Sequence, residues 1–236
     1  MRHSPMSSRR ADPHYGVLLV VLLVLFVLAP LLPADRAGYG VEFFFDLVLI
    51  TGAYSAAWQS RHRYPFLMLT LATLAMRWTD MTLDHSAFSL GSILLVTLWL
   101  VYAIVLVVLE LFRKDQVDTN TILGAIVAYV LAAVAFSSVF ELIEFAQPGS
   151  FSGLPADGVS ALGVQREVEN ALLYFSFVCI TTMGYGDILP VSALARSTAS
   201  LEGVFGTLYL AVMIARLVSL HGRAPDADPG NFSNGD

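Results

Sequence analysis

The chain has 236 residues, of which 56% are hydrophobic and 14% are charged, and its formal net charge at pH 7 is −6. Because soluble domains carry about 25% charged and about 45–50% apolar residues, this composition excludes an ordinary soluble protein. The acidic balance argues against a nucleic acid partner, and the single cysteine excludes an internal disulfide and a metal site built from cysteines.

Six long apolar stretches follow one another along the chain, and each can cross a hydrocarbon core of about 30 Å as a helix. The predicted spans are Val17 to Leu32, Val41 to Trp58, Pro65 to Leu83, Phe88 to Phe112, Ile122 to Phe145 and Ser197 to Leu220. We therefore expect an all-α integral membrane protein with six transmembrane helices. Little chain is left over, so we expect no cytoplasmic ligand-binding domain of any size.

The basic residues predict the orientation, because cytoplasmic loops carry an excess of Lys and Arg. With the amino terminus inside, the cytoplasmic side receives Arg2, Arg9, Arg10, Arg61, Arg63, Arg113, Lys114, Arg216 and Arg223. The outer side receives Arg36, Arg166 and Arg196. Both termini are therefore expected in the cytoplasm, and the plasma membrane is the expected location. The first apolar stretch has a second interpretation as a cleaved signal peptide, since basic residues precede it.

Ionisable residues also occur in and beside the predicted second and third spans, namely Glu42, Asp46, Arg77, Asp80 and Asp84. The estimated depths of these positions bring Arg77 within reach of Asp46 and Asp80. We interpret the group as a structural ion pair inside a helix bundle. The alternative is a modulatory site or proton sensor whose exposed part is Asp84 and His85.

The fourth predicted span, Phe88 to Phe112, contains no Lys or Arg, and Arg113 and Lys114 follow at its cytoplasmic edge. A voltage-sensing helix gains its opening energy by moving basic residues through the membrane field, about 2.3 kcal/mol per charge per 100 mV. We therefore expect no voltage sensor in this span.

A seventh apolar segment, Val168 to Thr181, would reach only about 21 Å as a helix, which favours a re-entrant segment over a span. The sequence that follows, Thr181 to Asp187, reads TTMGYGD. Its two glycines allow backbone conformations in which successive carbonyls point the same way. Irregular backbone at membrane depth must be buried in protein or line a water-filled path. One such strand provides one file of carbonyls, so surrounding a dehydrated cation requires several copies around an axis.

This segment resembles the selectivity filter of the tetrameric six-span potassium channels, which reads TVGYGD. The matching residues are Thr182, Gly184, Tyr185, Gly186 and Asp187, and Met183 replaces the usual valine. The resemblance extends over roughly Thr119 to Leu220, and the first four spans match only in number and topology. It implies a homotetramer in the lipid bilayer, K⁺ as the permeant ion and no organic cofactor.

The resemblance also implies roles for individual residues around the filter. The ion-binding group comprises the backbone carbonyls of Thr182, Met183, Gly184 and Tyr185 and the Thr182 hydroxyl, with Gly186 completing the filter. Asp187 lies at the outer mouth, where it raises the local cation concentration and accepts a hydrogen bond, for which Tyr174 is the candidate donor. The alternative for Tyr174 is an interfacial anchor facing lipid. Phe175 and Glu144 occupy positions where the family carries filter-supporting residues.

In the last span, Gly206 matches the hinge glycine of the family, and the alternative is close helix packing. The resemblance and the helical spacing from Gly206 predict a cavity lined by Thr207, Leu210, Ala211, Ile214 and Val218. The alternative for this set is packing against lipid or protein. Glu202 lies one turn before Gly206 in an apolar helix, so it should be protonated, paired or reached by water. It either contacts the back of the filter or bonds to a hydroxyl of the re-entrant helix.

The expected domains are a disordered tail at residues 1–14, a four-helix sensor-like domain at 15–112, a cytoplasmic linker at 113–119, a pore domain at 120–220 and a disordered tail at 221–236. The expected function is passive, potassium-selective conduction without a voltage sensor in the fourth span. Met183 leaves a weakly selective monovalent cation channel as an alternative, and a membrane sensor protein is the alternative from another class. No constellation of Ser, His and Asp indicates an enzyme, and the sequence leaves the gating stimulus open.

Overall fold

The computed structural model describes residues 15–28, 46–52, 63–83, 86–113, 118–155 and 161–221. The predictions for the two tails, and those for Glu42, Asp84 and His85, concern residues outside these ranges. The side chain of Asp80 is likewise not among the described groups.

The described residues are mostly helical, as the composition predicts. The helices are α1 (Tyr15–Leu28), α2 (46–52), α3 (Arg63–Leu83), α4 (Ser86–Arg113), α5 (Thr119–Ala146), α6 (Ala161–Ile180) and α7 (Ala193–His221). Two short strands, β1 (Phe151–Ser152) and β2 (Leu189–Pro190), pair antiparallel. This small hairpin is an addition to the all-α fold expected from the sequence.

Three of the described helices are long and apolar enough to cross a membrane. The candidate segments are Ser89–Arg113, Thr119–Ala146 and Ala193–Ser219, whereas α1 provides a shorter apolar helix, Tyr15–Val24. The charged residues Arg63, Arg77 and Asp80 lower the apolar character of α3. The structure thus supports an all-α membrane protein, and the count of six spans stays a prediction.

In the first half, α4 packs between α3 and α5, and α1 packs against α5. The fully buried Trp99 of α4 donates its indole hydrogen to the Thr70 hydroxyl of α3, at 2.8 Å. The ring of Phe66 stacks on the same indole at a centroid distance of 5.2 Å. The polar tip of this large side chain is therefore satisfied inside an otherwise apolar core.

The second half joins α5, α6 and α7. The first turn of α5 is capped by Asp118, whose carboxylate accepts the Thr121 amide at 2.6 Å. Near the other end of α5, Phe140 packs in an aromatic cluster with Phe151 and Phe175, with ring centroids 5.1–5.5 Å apart. This cluster fixes the loop after α5 against the middle of α6.

Helix α6, which the sequence predicts to be re-entrant, is longer than expected. It begins at Ala161 and has 20 residues, whereas the apolar segment begins only at Val168. The extra turns contain Gln165, Arg166 and Glu167, which hydropathy does not count although they form helical backbone hydrogen bonds. The end at Ile180 agrees with the expected position immediately before the predicted filter segment.

The far end of α7 contacts the last turn of α4. The Arg216 guanidinium donates to the Leu111 carbonyl and lies 4.4 Å from the centre of the Phe112 ring. A cation at the carboxyl end of a helix meets its unpaired carbonyls and the negative end of its dipole. This contact joins the first half of the chain to the carboxyl-terminal end of α7.

Candidate functional site

The segment after α6 turns its backbone amides towards the end of that helix. The amides of Thr182, Met183 and Gly184 donate to α6 carbonyls at N···O distances of 3.0, 3.0 and 3.4 Å. In a trans peptide the N–H and the C=O of the same unit point in opposite directions. The carbonyls of Thr181, Thr182 and Met183, which belong to the same peptide units as these amides, therefore point away from α6.

The sign of φ alternates along this segment. It is positive at Thr182 (59°), Gly184 (58°) and Gly186 (78°), and Met183 and Tyr185 are not in that region. Left-handed conformations are favourable for glycine but cost a β-branched residue about 1–3 kcal/mol. Thr182 is the one non-glycine residue with positive φ in the described part of the chain. Such local strain often accompanies a functional site.

The whole segment from Thr181 to Asp187 is exposed in a single chain. The Met183 side chain is 61% exposed and the Tyr185 side chain is 66% exposed. A Cβ atom placed on Gly184 or Gly186 would meet no other atom within 4 Å. One copy of the chain thus presents a carbonyl-rich strand on an open surface.

At the outer end of this strand, the Tyr174 hydroxyl donates a hydrogen bond to the Asp187 carboxylate. The bond lowers the pKa of Asp187 below its ordinary value and raises the pKa of Tyr174. The ring of Tyr174 also stacks on Tyr185, with centroids 6.5 Å apart and an interplanar angle of 10°. Tyr174 therefore touches two residues of the segment, and its alternative role as an interfacial anchor stays a prediction.

The β1–β2 hairpin fastens the chain beyond Asp187 to the loop after α5. Phe151 pairs with Pro190, and Ser152 pairs with Leu189. Gly153 follows this strand with φ of 86°, and a Cβ atom there would lie 2.2 Å from the Asp187 carbonyl oxygen. Only glycine allows the two backbones to approach so closely.

The expected supporting residue Glu144 holds the same loop. Its carboxylate accepts the Gly149 amide at 2.7 Å and the Phe151 amide at 3.2 Å. The other expected support, Phe175, is buried in the aromatic cluster described above. Both residues thus act on the loop that carries β1, and through the hairpin they act on the exit from the Thr181–Asp187 segment.

Behind the segment, polar groups of three helices meet. The Ser176 hydroxyl of α6 is hydrogen-bonded to the Ala133 carbonyl of α5, at 2.6 Å, and to the Glu202 carboxyl of α7. The Tyr129 hydroxyl donates to the Ile180 carbonyl at 2.8 Å. Of the two sequence alternatives for Glu202, the bond to a hydroxyl of the re-entrant helix is therefore confirmed.

The glycine in the middle of α7 lies against the end of α6. A Cβ atom on Gly206 would lie 2.3 Å from the Ile180 carbonyl oxygen. This contact gives Gly206 a packing role, the alternative stated from the sequence, while the hinge role stays a prediction. The predicted cavity residues Thr207, Leu210, Ala211, Ile214 and Val218 are all exposed on α7 in a single chain.

The ion pair expected in the first half is confirmed. The Arg77 Nε atom lies 3.3 Å from Asp46 Oδ1, and the Trp78 indole donates to Asp46 Oδ2 at 3.2 Å. Asp46 is almost completely buried, so both carboxylate oxygens are paired where solvation is poor. The contact fits the structural ion pair, while the alternative of a proton sensor stays a prediction because Asp84 and His85 lie outside the described residues.

Sequence reasoning did not single out Ser176, Tyr129 or Gly153. A hydroxyl in an apolar membrane helix requires an acceptor, which marks Ser176 and Tyr129 as residues with partners but does not identify them. Gly153 lies in a loop rich in glycine and serine, where nothing distinguishes it from Gly149. Among the residues that the structure describes, no group of three or more His, Cys, Asp and Glu side chains could hold a resident metal ion.

Two comparisons with known proteins both indicate an ion channel. Residues 168–221 match a family model described as an ion channel. Over 87 residues the chain is 31% identical to the inward rectifier potassium channel Kirbac3.1 of Paramagnetospirillum magnetotacticum, a stretch that covers 37% of this chain and 23% of that relative. The match thus spans less than a quarter of the relative's length, and no solved structure matches the chain. These similarities indicate an ion channel and not an enzyme.

Proposed function

We propose that the chain is one subunit of a homotetrameric, potassium-selective channel of the plasma membrane, with both termini in the cytoplasm. The observation that carries the proposal is the Thr182–Gly184 segment, whose amides donate to α6 carbonyls, so that the carbonyls of Thr181, Thr182 and Met183 in the same peptides point away from α6. The similarity to an inward rectifier potassium channel over 87 residues supports the choice of ion.

In this proposal a dehydrated K⁺ ion, as cargo, is coordinated by the carbonyls of Thr182, Met183, Gly184 and Tyr185 and by the Thr182 hydroxyl. These oxygens replace the hydration shell of the ion, so entry costs little free energy. The carboxyl end of α6 adds partial negative charge behind the strand, which favours a cation. Asp187 concentrates cations at the outer mouth.

Two observations support assembly of several copies around an axis. The polar backbone of Thr181–Asp187 is exposed in one chain, and bare carbonyls are not tolerated against lipid. In addition, most of the apolar surface of α7 is unburied. Four copies arranged around one axis would cover the strand on both sides and enclose an ion path.

One observation favours a second candidate, a weakly selective monovalent cation channel. The Met183 side chain stands where the family carries valine, and it is 61% exposed in one chain. Methionine is flexible, so it packs the back of a filter less rigidly than the branched valine of the family. Under this alternative Na⁺ also passes, and the reversal potential under mixed ions separates the two candidates.

The test is conduction by the purified protein in planar bilayers with K⁺ on one side and Na⁺ on the other. We expect a reversal potential close to the K⁺ equilibrium value. Gly184→Ala places a Cβ at φ of 58° in the filter and should abolish selective current. Gly149→Ala introduces similar strain at φ of 85° outside the filter, so it is the matched control and should conduct as the parent does.

Absence of K⁺ current from the intact parental oligomer would overturn the proposal. Unchanged selectivity in Gly184→Ala would do the same. A parental reversal potential near zero would replace potassium selectivity with the weakly selective alternative.

A further inference from the structure

Glu202 is a carboxyl group inside an apolar membrane-spanning helix, and its exposure is 0%. Its Oε1 atom is hydrogen-bonded to Ser176, which is also 0% exposed, and its Oε2 atom has no hydrogen-bond partner among the described residues. An ionised carboxylate in such surroundings is costly unless a basic group pairs with it. The titratable groups of α5 and α6 that face it are Tyr129 and Cys179, and neither is basic.

The number of hydrogens in this cluster decides which group donates. Ser176 has one hydroxyl hydrogen, yet its oxygen lies within bonding distance of both the Ala133 carbonyl and the Glu202 carboxyl. A carbonyl only accepts, so the serine donates to Ala133. The contact with Glu202 is then a hydrogen bond only if the carboxyl group donates, which requires the neutral acid.

The position of this chain of bonds links it to the filter. Ser176 lies one turn before Ile180, where α6 ends, and the last carbonyls of α6 accept the amides of Thr182 to Gly184. A shift of the last turn of α6 would move those carbonyls and rotate the filter peptides. The bonds from Glu202 to Ser176 and from Ser176 to Ala133 join α7, α6 and α5 at this point.

We infer that Glu202 is a positioning residue for ion selectivity, which acts as a neutral acid that donates to Ser176 and so holds the end of α6 in register with the filter. The inference rests on the proposed function, because selectivity is what the positioning serves. Glu202 itself does not touch the ion. Its effect is transmitted through Ser176 and the α6 carbonyls.

The test compares K⁺ and Na⁺ permeability in bilayers for the parent, Glu202→Gln, Glu202→Ala, Ser176→Ala and Ser200→Ala. The amide of glutamine is uncharged and still donates to Ser176, so Glu202→Gln should keep the parental permeability ratio. Glu202→Ala removes the donor and should lower the ratio by about ten-fold, within the range expected for loss of a buried hydrogen-bonded group. Ser200→Ala is the matched control, since Ser200 is exposed and its hydroxyl donates to the Arg196 carbonyl of its own helix.

Ser176→Ala removes the acceptor with little change in volume, and it serves as the second variant if Glu202→Ala does not assemble. It should lower the ratio as much as Glu202→Ala does. The double variant should be no worse than either single variant, because one break already interrupts the chain of bonds. All variants are compared as oligomers of the parental size.

The outcomes separate the inference from the proposed function. A parent that carries no K⁺ current overturns both. A selective parent whose selectivity survives in both Glu202→Ala and Ser176→Ala overturns only the inference. Loss of selectivity in Glu202→Gln equal to that in Glu202→Ala also overturns it, because the carboxylate charge would then be the active feature.

Discussion

At the scale of single residues, Thr182 combines two roles that oppose each other energetically. Its φ of 59° costs a β-branched residue about 1–3 kcal/mol. The hydrogen bonds from the backbone amides of the segment to the last carbonyls of α6 hold Thr182 in this conformation. In the proposed channel its hydroxyl and carbonyl face the ion path. Strain and ion binding therefore fall on one residue, and a bound cation would offset part of the strain.

The bond between Tyr174 and Asp187 predicts how the outer mouth responds to acid. This bond lowers the pKa of Asp187. In the parent the carboxylate therefore stays charged, and continues to attract cations to the outer mouth, until the pH falls through that lowered pKa. In Tyr174→Phe the pKa returns towards 3.8, and this attraction is lost at a higher pH. We expect external acid to reduce the K⁺ current at a higher pH in the variant than in the parent.

Current measured against external pH checks this prediction. Tyr64→Phe makes the same chemical change at an exposed tyrosine near the start of α3 and should leave the acid response unchanged. The same half-inhibition pH in Tyr174→Phe and in the parent would show that the bond does not protect the outer mouth.

Gly153 and Gly149 form a second test, at the loop that carries β1. Both have positive φ, 86° and 85°, but only at Gly153 would a Cβ atom meet another backbone, 2.2 Å from the Asp187 carbonyl oxygen. Gly149→Ala should lower stability by about 1 kcal/mol through strain alone. Gly153→Ala should lower stability by more, because the chain at Asp187 must move. Thermal unfolding of the oligomer measures the difference, and equal losses would exclude the backbone contact as its cause.

At the scale of elements, the packing of α7 on α6 separates the two interpretations of Gly206. The new Cβ of Gly206→Ala would lie 2.3 Å from the Ile180 oxygen, whereas that of Gly203→Ala would lie at an ordinary 3.8 Å from the Cys179 oxygen. If packing is the role, Gly206→Ala lowers both thermal stability and selectivity by pushing α7 away from α6, and Gly203→Ala changes neither. If Gly206 is also a hinge, Gly206→Ala additionally alters the opening rate of the channels that still assemble. Thermal unfolding and single-channel recordings on both variants distinguish the packing role of Gly206 from the hinge role.

The elements of the second half were largely predictable, and their boundaries were less so. Long apolar runs predicted α5 and α7 because a membrane helix must present apolar side chains to lipid for its whole length. The start of α6 was missed by about two turns, because polar residues form helix as well when lipid does not cover them. The β1–β2 hairpin was missed because two-residue strands carry no detectable periodicity.

At the scale of the whole molecule, the absence of Lys and Arg before the last turn of α4 predicts the response to voltage. The basic residue of α4 is Arg113, in its last turn at the predicted cytoplasmic edge. With no basic residue before that last turn to move through the field, α4 supplies little voltage-dependent opening energy, against about 2.3 kcal/mol per charge per 100 mV in a sensor. We expect a conductance in symmetrical K⁺ that changes little between negative and positive potentials. A steep sigmoidal dependence would contradict this, and loss of that steepness in Arg77→Gln would identify the moving charge.

The part of the candidate site that consists of consecutive residues was predictable from the sequence. The run from Thr182 to Asp187 can be recognised because its matching residues are consecutive in the sequence and its two glycines permit the backbone conformation. The bond between Ser176 and Glu202 joins residues 26 positions apart on different helices, and no spacing rule relates such a pair. Side-chain partners across helices depend on how the helices pack, which composition does not specify.

The one-sided strand after α6 has a consequence for mixed oligomers. Each chain contributes a single wall of the proposed ion path. A defect in one chain therefore disrupts the ion path of any tetramer that contains it. When parental and Gly184→Ala chains are produced in equal amounts and mix randomly in fours, about one-sixteenth of the rings contain only parental chains. Co-production of the variant chain would thus remove most of the current.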